Sequence, residues 1–198
     1  MALSHFRRQK EIIWRKLCEE IDADFVKGKG FRQHDAIRAY HENWTIVIDT
    51  YRRPKKPVVT HIRAPYVNRD AFEFRIYRRK AGSNILKAFG MQDVVVGFKQ
   101  FDDDFIIQGN DERKLKALFH NDLIRRLISW QPHIQLWNEV DDSFSYDDWG
   151  QGVSELRFEV VGVIMDLQRL RDLYDLFAEL LNHLCHIGSA YEDDPLLK

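Results

Sequence analysis

The sequence predicts an α+β fold: a mainly antiparallel, strongly twisted sheet of about seven to nine strands, with an N-terminal helix, a central helix and a long C-terminal helix packed on it. Three observations carry this. Short apolar runs separated by turn residues follow one another from 35 to 79, the spacing of an antiparallel meander. Segments near the start, the middle and the end of the chain repeat their apolar residues with a helical period. The last third passes from an alternating strand, Leu156, Phe158, Val160 and Ile164, through Asp166 into an amphipathic helix.

Taken in order, Ser4 is placed to cap a first helix with Phe6, Ile13, Trp14, Leu17 and Ile21 on one face, ending before Gly28 and Gly30. Strands follow over 35–40, 44–52, 58–64 and 72–79, separated by His41-Glu42-Asn43, Pro54-Lys55-Lys56-Pro57 and Asn68-Arg69-Asp70. The clearest alternation puts Phe72, Phe74 and Ile76 inward and Glu73, Arg75, Tyr77 and Arg79 outward. A short helix over 84–89 and strands over 93–96 and 105–108 come next. Asn110 or Asp111 then caps a helix bearing Leu115, Leu118 and Phe119, which breaks at Asn121, continues through Ile124, Leu127 and Ile128, and stops at Pro132. Segments 134–140 and 155–164 read as a hairpin pair joined by a long acidic, aromatic loop. The closing helix, 166–187, aligns Leu170, Leu173, Phe177, Leu181 and Leu184, with Asp166 as N-cap and Gly188 as left-handed terminator. No repeat, low-complexity tract or linker divides the chain, so 1–190 is expected to form a single domain and 191–198 a loose acidic tail.

The 198 residues are 44% hydrophobic, 13% aromatic and 31% charged, a balance that fits a folded domain with a solvated exterior. Cys18 and Cys185 sit beside apolar helical stripes with no paired spacing, as expected of small buried residues in a reduced, cytoplasmic protein. No apolar run approaches the roughly 20 residues needed to cross a bilayer, and residues 1–10 lack the apolar core of an export signal. Membrane insertion is not expected.

The net charge of −1 hides an asymmetry. From Arg52 to Lys87 the basic residues are opposed only by Asp70 and Glu73, whereas 138–155 holds no Lys or Arg and the tail adds Glu192, Asp193 and Asp194. Within the basic segment Arg63, Arg75 and Arg79 alternate with apolar residues and are placed to share a sheet face with Tyr77, as a ligand site for phosphate-rich molecules or stacked bases would. The pI near 6.7 is well below that of a dedicated nucleic-acid binder, so nucleic acid is not the expected partner. The basic side chains then serve to solvate a sheet face and discourage edge pairing, or to fix a small anion in a cavity between sheet and C-terminal helix.

Other constellations are less specific. Glu179, His183 and His186 fall on one side of the last helix and are metal-ligating types, but they lie opposite its apolar stripe, where a solvated polar face is the simpler reading. Asp102, Asp103 and Asp104 lack calcium-loop spacing and read as a charged turn between strands. No serine sits in a nucleophile elbow or an S-x-x-K pair, no dinucleotide or Walker loop is present, and Gly28-Lys29-Gly30 is too short to cradle a phosphate. No catalytic residue and no cofactor is therefore expected. Phe144, Tyr146 and Trp149 stand among carboxylates whose burial would be costly, which marks that loop as a contact element for a protein partner or a second copy of the chain.

Two segments, 101–111 and the stretch from Gly162 to Pro195 that ends in His183-Leu184-Cys185-His186-Ile187-Gly188-Ser189-Ala190-Tyr191-Glu192-Asp193-Asp194-Pro195, resemble an uncharacterised family of bacterial hypothetical proteins, some of whose distant relatives are membrane-attached domains of unknown function. The resemblance covers about half of this chain, which lacks those relatives' membrane segments. It implies a bacterial source and transfers no catalytic residue. The expectation is a non-catalytic binding or scaffold module of a bacterial cytosol. The alternatives are a protein or enzyme binding a small anion, and nucleic-acid binding through 52–87.

Overall fold

A computed structural model of the chain describes residues 2–28, 34–52, 55–79, 92–140 and 152–192, and it has the α+β architecture. Strands β1 (Asp24–Val26), β2 (Ala36–His41), β3 (Trp44–Arg52) and β4 (Val58–Asn68) pair antiparallel in chain order. The β2–β3 turn closes at His41 and Trp44, with Glu42 at a φ of 50°, the left-handed conformation that matches strand twist in a two-residue hairpin. The meander expectation holds through β4 and fails at the next strand in the chain. The full order is β1-β2-β3-β4-β9-β8-β5-β7-β6, so β9 (Val153–Val161) and β8 (Gln135–Val140) separate β4 from β5 (Phe74–Arg78). Strands β7 (Phe105–Gly109) and β6 (Gln92–Asp93) complete that side, and β10 (Ala190–Tyr191) pairs with the end of β4.

A buried polar network accounts for where β5 goes. Asn138 on β8 accepts from Phe74 N at 2.7 Å, donates to Phe72 O at 2.6 Å and donates to Tyr66 Oη at 2.7 Å. Asn68 also donates to Phe72 O and to Ser154 Oγ. Buried backbone groups need partners, and Asn138 supplies them where β5 starts, fixing that strand on β8. Burial of Tyr66 holds its hydroxyl well above the usual range.

Across the sheet the inward side chains fall in register. Ile37, Ile48, Ile62, Phe158, Leu136, Ile76 and Ile107 are successive cross-strand partners over seven strands, and all belong to the core. Helix α5 (Leu167–His186) covers this row with Leu170, Leu173, Leu176, Phe177, Leu180, Leu181 and Leu184. Asp166 caps it by accepting from Arg169 N at 3.0 Å, and Gly188 ends it at a φ of 75°. Helix α1 (Ala2–Ile21) packs on α5 and on β1 and β2, with Trp14 and Leu17 buried. Its first turn differs from expectation: Ser4 lies inside the helix, and Phe6 is exposed.

The central helix breaks where the sequence indicates. Asp111 caps α3 (Glu112–Leu118), and Asn121 caps α4 (Asp122–Ser129) by accepting from Leu123 N and Ile124 N. The aspartates at 102–104 end a short helix, α2 (Lys99–Asp104), and not a turn. Asp102 accepts from Val96 N and Gly97 N at 2.8 and 3.0 Å, which bends 94–97 away from β6 and shortens the strand expected over 93–96. The expected helix over 84–89 lies outside the described residues. So does 193–198, while Tyr191, expected in the loose tail, pairs with Val67. Among the described residues no helix is long and apolar enough to cross a membrane.

Candidate functional site

Because strand side chains alternate, the row next to the isoleucines projects to the other face of the sheet, away from α5. It reads Arg38, Val47, Arg63, Arg157, Trp137, Arg75, Gln108 and Asp93, again as successive cross-strand partners. Arg63 and Arg75 thus stand on one face, three strand spacings or about 14 Å apart, and Tyr77 lies two residues beyond Arg75 on the same side. Arg79 does not join them. It follows the end of β5, is exposed, and reaches toward the carbonyls of Asp102 and Phe105 at 3.4 and 3.5 Å.

The centre of the row is fixed by its own contacts. Arg157 Nη1 pairs with Glu139 Oε1 at 2.5 Å, and Arg157 Nε donates to Glu155. Trp137 Nε1 donates to Glu139 Oε2 at 3.0 Å, and the Arg75 guanidinium lies over the Trp137 ring at 5.8 Å. On the far side Gln108 is 2% exposed and donates through Nε2 to Asp93 Oδ1 at 2.7 Å. A carboxylate only accepts, so this bond assigns the amide and leaves Gln108 Oε1 as an acceptor.

Among the described residues that acceptor has no partner, nor do Arg75 Nε and Tyr77 Oη, although all three atoms are buried. Asp49 Oδ1 and His61 Nε2, also on this face, share the property. Buried polar atoms are normally satisfied, and five of the nine unpartnered ones among the described residues lie on this face, which makes it the candidate site. Burial, with Asp93 nearby, raises the Tyr77 hydroxyl above its ordinary range and keeps it protonated. The arrangement offers a guanidinium N–H and a phenol hydroxyl beside an amide oxygen. Such groups can hydrogen-bond a polar ligand and orient it.

On the α5 side Trp44 Nε1, Arg171 Nε and Asn182 Oδ1 are likewise buried with no hydrogen-bond partner among the described residues. Between the sheet and α5, Leu173, Phe177 and Leu181 are fully buried in the core, whereas Arg63, Arg75 and Tyr77 alternate to the other face of the sheet.

Glu179, His183 and His186 lie near α3, where an open groove of about 600 Å³ runs between the two helices. They do not act together. Glu179 accepts from Asn121 Nδ2 at 2.6 Å, His183 Nε2 meets Ala117 O at 3.1 Å, and the His183 and His186 rings stack at 5.2 Å. Among the described residues no three His, Cys, Asp or Glu side chains are placed to hold a metal. Phe144, Tyr146 and Trp149 lie outside the described residues.

The sequence reading missed Gln108, Trp137, Asp49 and His61. A usable signal existed for the last pair. Closing the 53–57 turn between Arg52 and Val58 sets Asp49 opposite His61 and Val47 opposite Arg63, the register the structure has. No protein-family model, curated protein or solved structure matches the chain.

Proposed function

We propose that this chain is a non-catalytic binding module whose ligand is a small organic anion seated on the sheet face opposite α5, against Arg75, Tyr77 and Gln108. The observation that carries the reading is the trio of buried atoms Arg75 Nε, Tyr77 Oη and Gln108 Oε1 on the neighbouring strands β5 and β7, which have no partner among the described residues. Arg75 Nε needs an acceptor and Gln108 Oε1 needs a donor, and the two residues are direct cross-strand partners. A carboxylate with a hydroxyl or amino group on the adjacent carbon offers both an acceptor and a donor, with Tyr77 as a second donor to the carboxylate.

A reduced bacterial cytosol is the setting we assign. Cys18 and Cys185 are free, and burial pushes the Cys185 thiol up to about 11, away from thiolate chemistry. Nucleic acid fits less well, because the described basic residues of 52–79 disperse. Arg78 donates to Ser129 O and Gln131 O at the end of α4, Arg69 lies over Tyr191, and Arg63 pairs with Asp49.

Calorimetric titration with L-lactate, L-serine and acetate tests the proposal. The two α-substituted acids are expected to bind about ten-fold tighter than acetate, the effect of one well-made hydrogen bond, and Arg75→Ala is expected to abolish binding. No heat with any probe, or binding indifferent to Arg75→Ala and Gln108→Ala, overturns it.

A further inference from the structure

We propose that Asp49 and His61 form a second polar subsite on this face, at which the imidazole accepts a hydrogen bond from a neutral hydroxyl group of a ligand. Asp49 on β3 and His61 on β4 are direct cross-strand partners, and His61 Nδ1 lies 3.8 Å from Asp49 Oδ1. The carboxylate favours the proton on Nδ1, the nitrogen that faces it, which leaves the lone pair on Nε2. Nε2 is buried and has no partner among the described residues, as is also true of Asp49 Oδ1. The other Asp49 oxygen is engaged by Arg63 Nη2 at 3.4 Å, and the ring is braced edge-on by Tyr51 at 5.6 Å, whose hydroxyl donates to Glu159 at 2.7 Å. The acceptor is therefore held in place before any ligand arrives.

The charged groups that face the ring are Asp49, Arg63, Glu159 and Arg157. Burial first, then Arg63 and Arg157, hold the imidazole at about 4, so it is uncharged at neutral pH. The Arg63 and Arg157 guanidiniums on the strands around the ring also bear on the class of ligand. A group that far below neutrality is a poor general base but a steady acceptor. The surroundings that exclude a positive charge from the ring equally disfavour an ammonium donor beside it. An alcohol hydroxyl, as on a polyol or a sugar, meets the requirement. The subsite is about three strand spacings from Arg75 and does not depend on the anion site there.

Long-range proton–nitrogen NMR of histidine-labelled full-length protein tests this directly. His61 is expected to show the Nδ1–H tautomer between pH 5 and 8, and 1,2-propanediol is expected to shift its Nε2 resonance saturably while leaving exposed His133 unmoved. n-Propylamine hydrochloride should have no such effect. Asp49→Ala, with its fold checked by the amide spectrum, should lose the tautomer preference and the diol response, and Arg75→Ala should keep both. Observation of the Nε2–H tautomer, of no diol shift, of equal shifts at His61 and His133, or of a response to the amine overturns the proposal.

Discussion

Asn138→Ala removes the side chain that decides which strand receives β5. Three hydrogen bonds go with it, at 2.6 to 2.7 Å, to Phe72 O, Phe74 N and Tyr66 Oη. Their loss is unequal. Phe72 O keeps Asn68 as a donor at 3.2 Å, so that bond is worth about 1 kcal/mol, as is the bond to Tyr66. Phe74 is fully buried, and its N–H, left without an acceptor, adds about 1–3 kcal/mol. The expected destabilisation is about 3–5 kcal/mol, a large share of the roughly 5–15 kcal/mol available to a domain. Urea denaturation followed by far-UV circular dichroism measures it, with the slope of the transition checked for constancy. Ser154→Ala, which removes only one partner of Asn68, is the internal comparison at about 1 kcal/mol. A loss below about 1 kcal/mol for Asn138→Ala would show that β5 holds its place without the network, and the reasoning about strand order would fail.

Phe177→Ala should destabilise by about 3–5 kcal/mol, because the ring is fully buried under the sheet, and an unchanged melting temperature would contradict that packing. Gly109→Ala should cost about 1–3 kcal/mol, since a Cβ there would meet Glu73 O at 2.6 Å and Leu115 Cδ1 at 2.9 Å; chemical denaturation checks it. His61 gives a pH signature: its folded value of about 4 lies below the ordinary 6.5, so between those values the unfolded chain binds the extra proton. Its contribution is complete above 6.5 and is lost as pH falls toward 4, on the order of 3 kcal/mol. His61→Gln should be the less pH-sensitive protein across that window, and identical profiles would refute the burial argument.

The elements whose signals are local were legible in the sequence. The Phe72, Phe74 and Ile76 alternation, a cap at Asn110 or Asp111, the break at Asn121, the cap at Asp166 and the Gly188 terminator each depend on a few neighbouring residues; the structure has them, with Asp111 as the cap and Asn121 capping the helix after the break. The order of strands was not legible, because it depends on Asn138 reaching the backbone of Phe72 and Phe74 from a distant segment. The site was half visible for the same reason. Parity along one strand put Arg75 and Tyr77 on a common face, but their neighbours Gln108 and Trp137 come from β7 and β8. Arg79 lies one residue past the last paired residue, Arg78, where its N still donates to Asp104 O and its side chain reaches toward the carbonyls of Asp102 and Phe105.

The central claim is that the sheet face opposite α5 is the binding surface. Amide NMR mapping of labelled protein with L-lactate tests it most directly. Perturbations should centre on β5, β7 and β8, around Arg75, Gln108 and Trp137, and should vanish in Arg75→Ala while the spectrum of α5 stays unchanged. Perturbations confined to the α3–α5 groove around His183 and His186, or the same map in Arg75→Ala, would contradict the account.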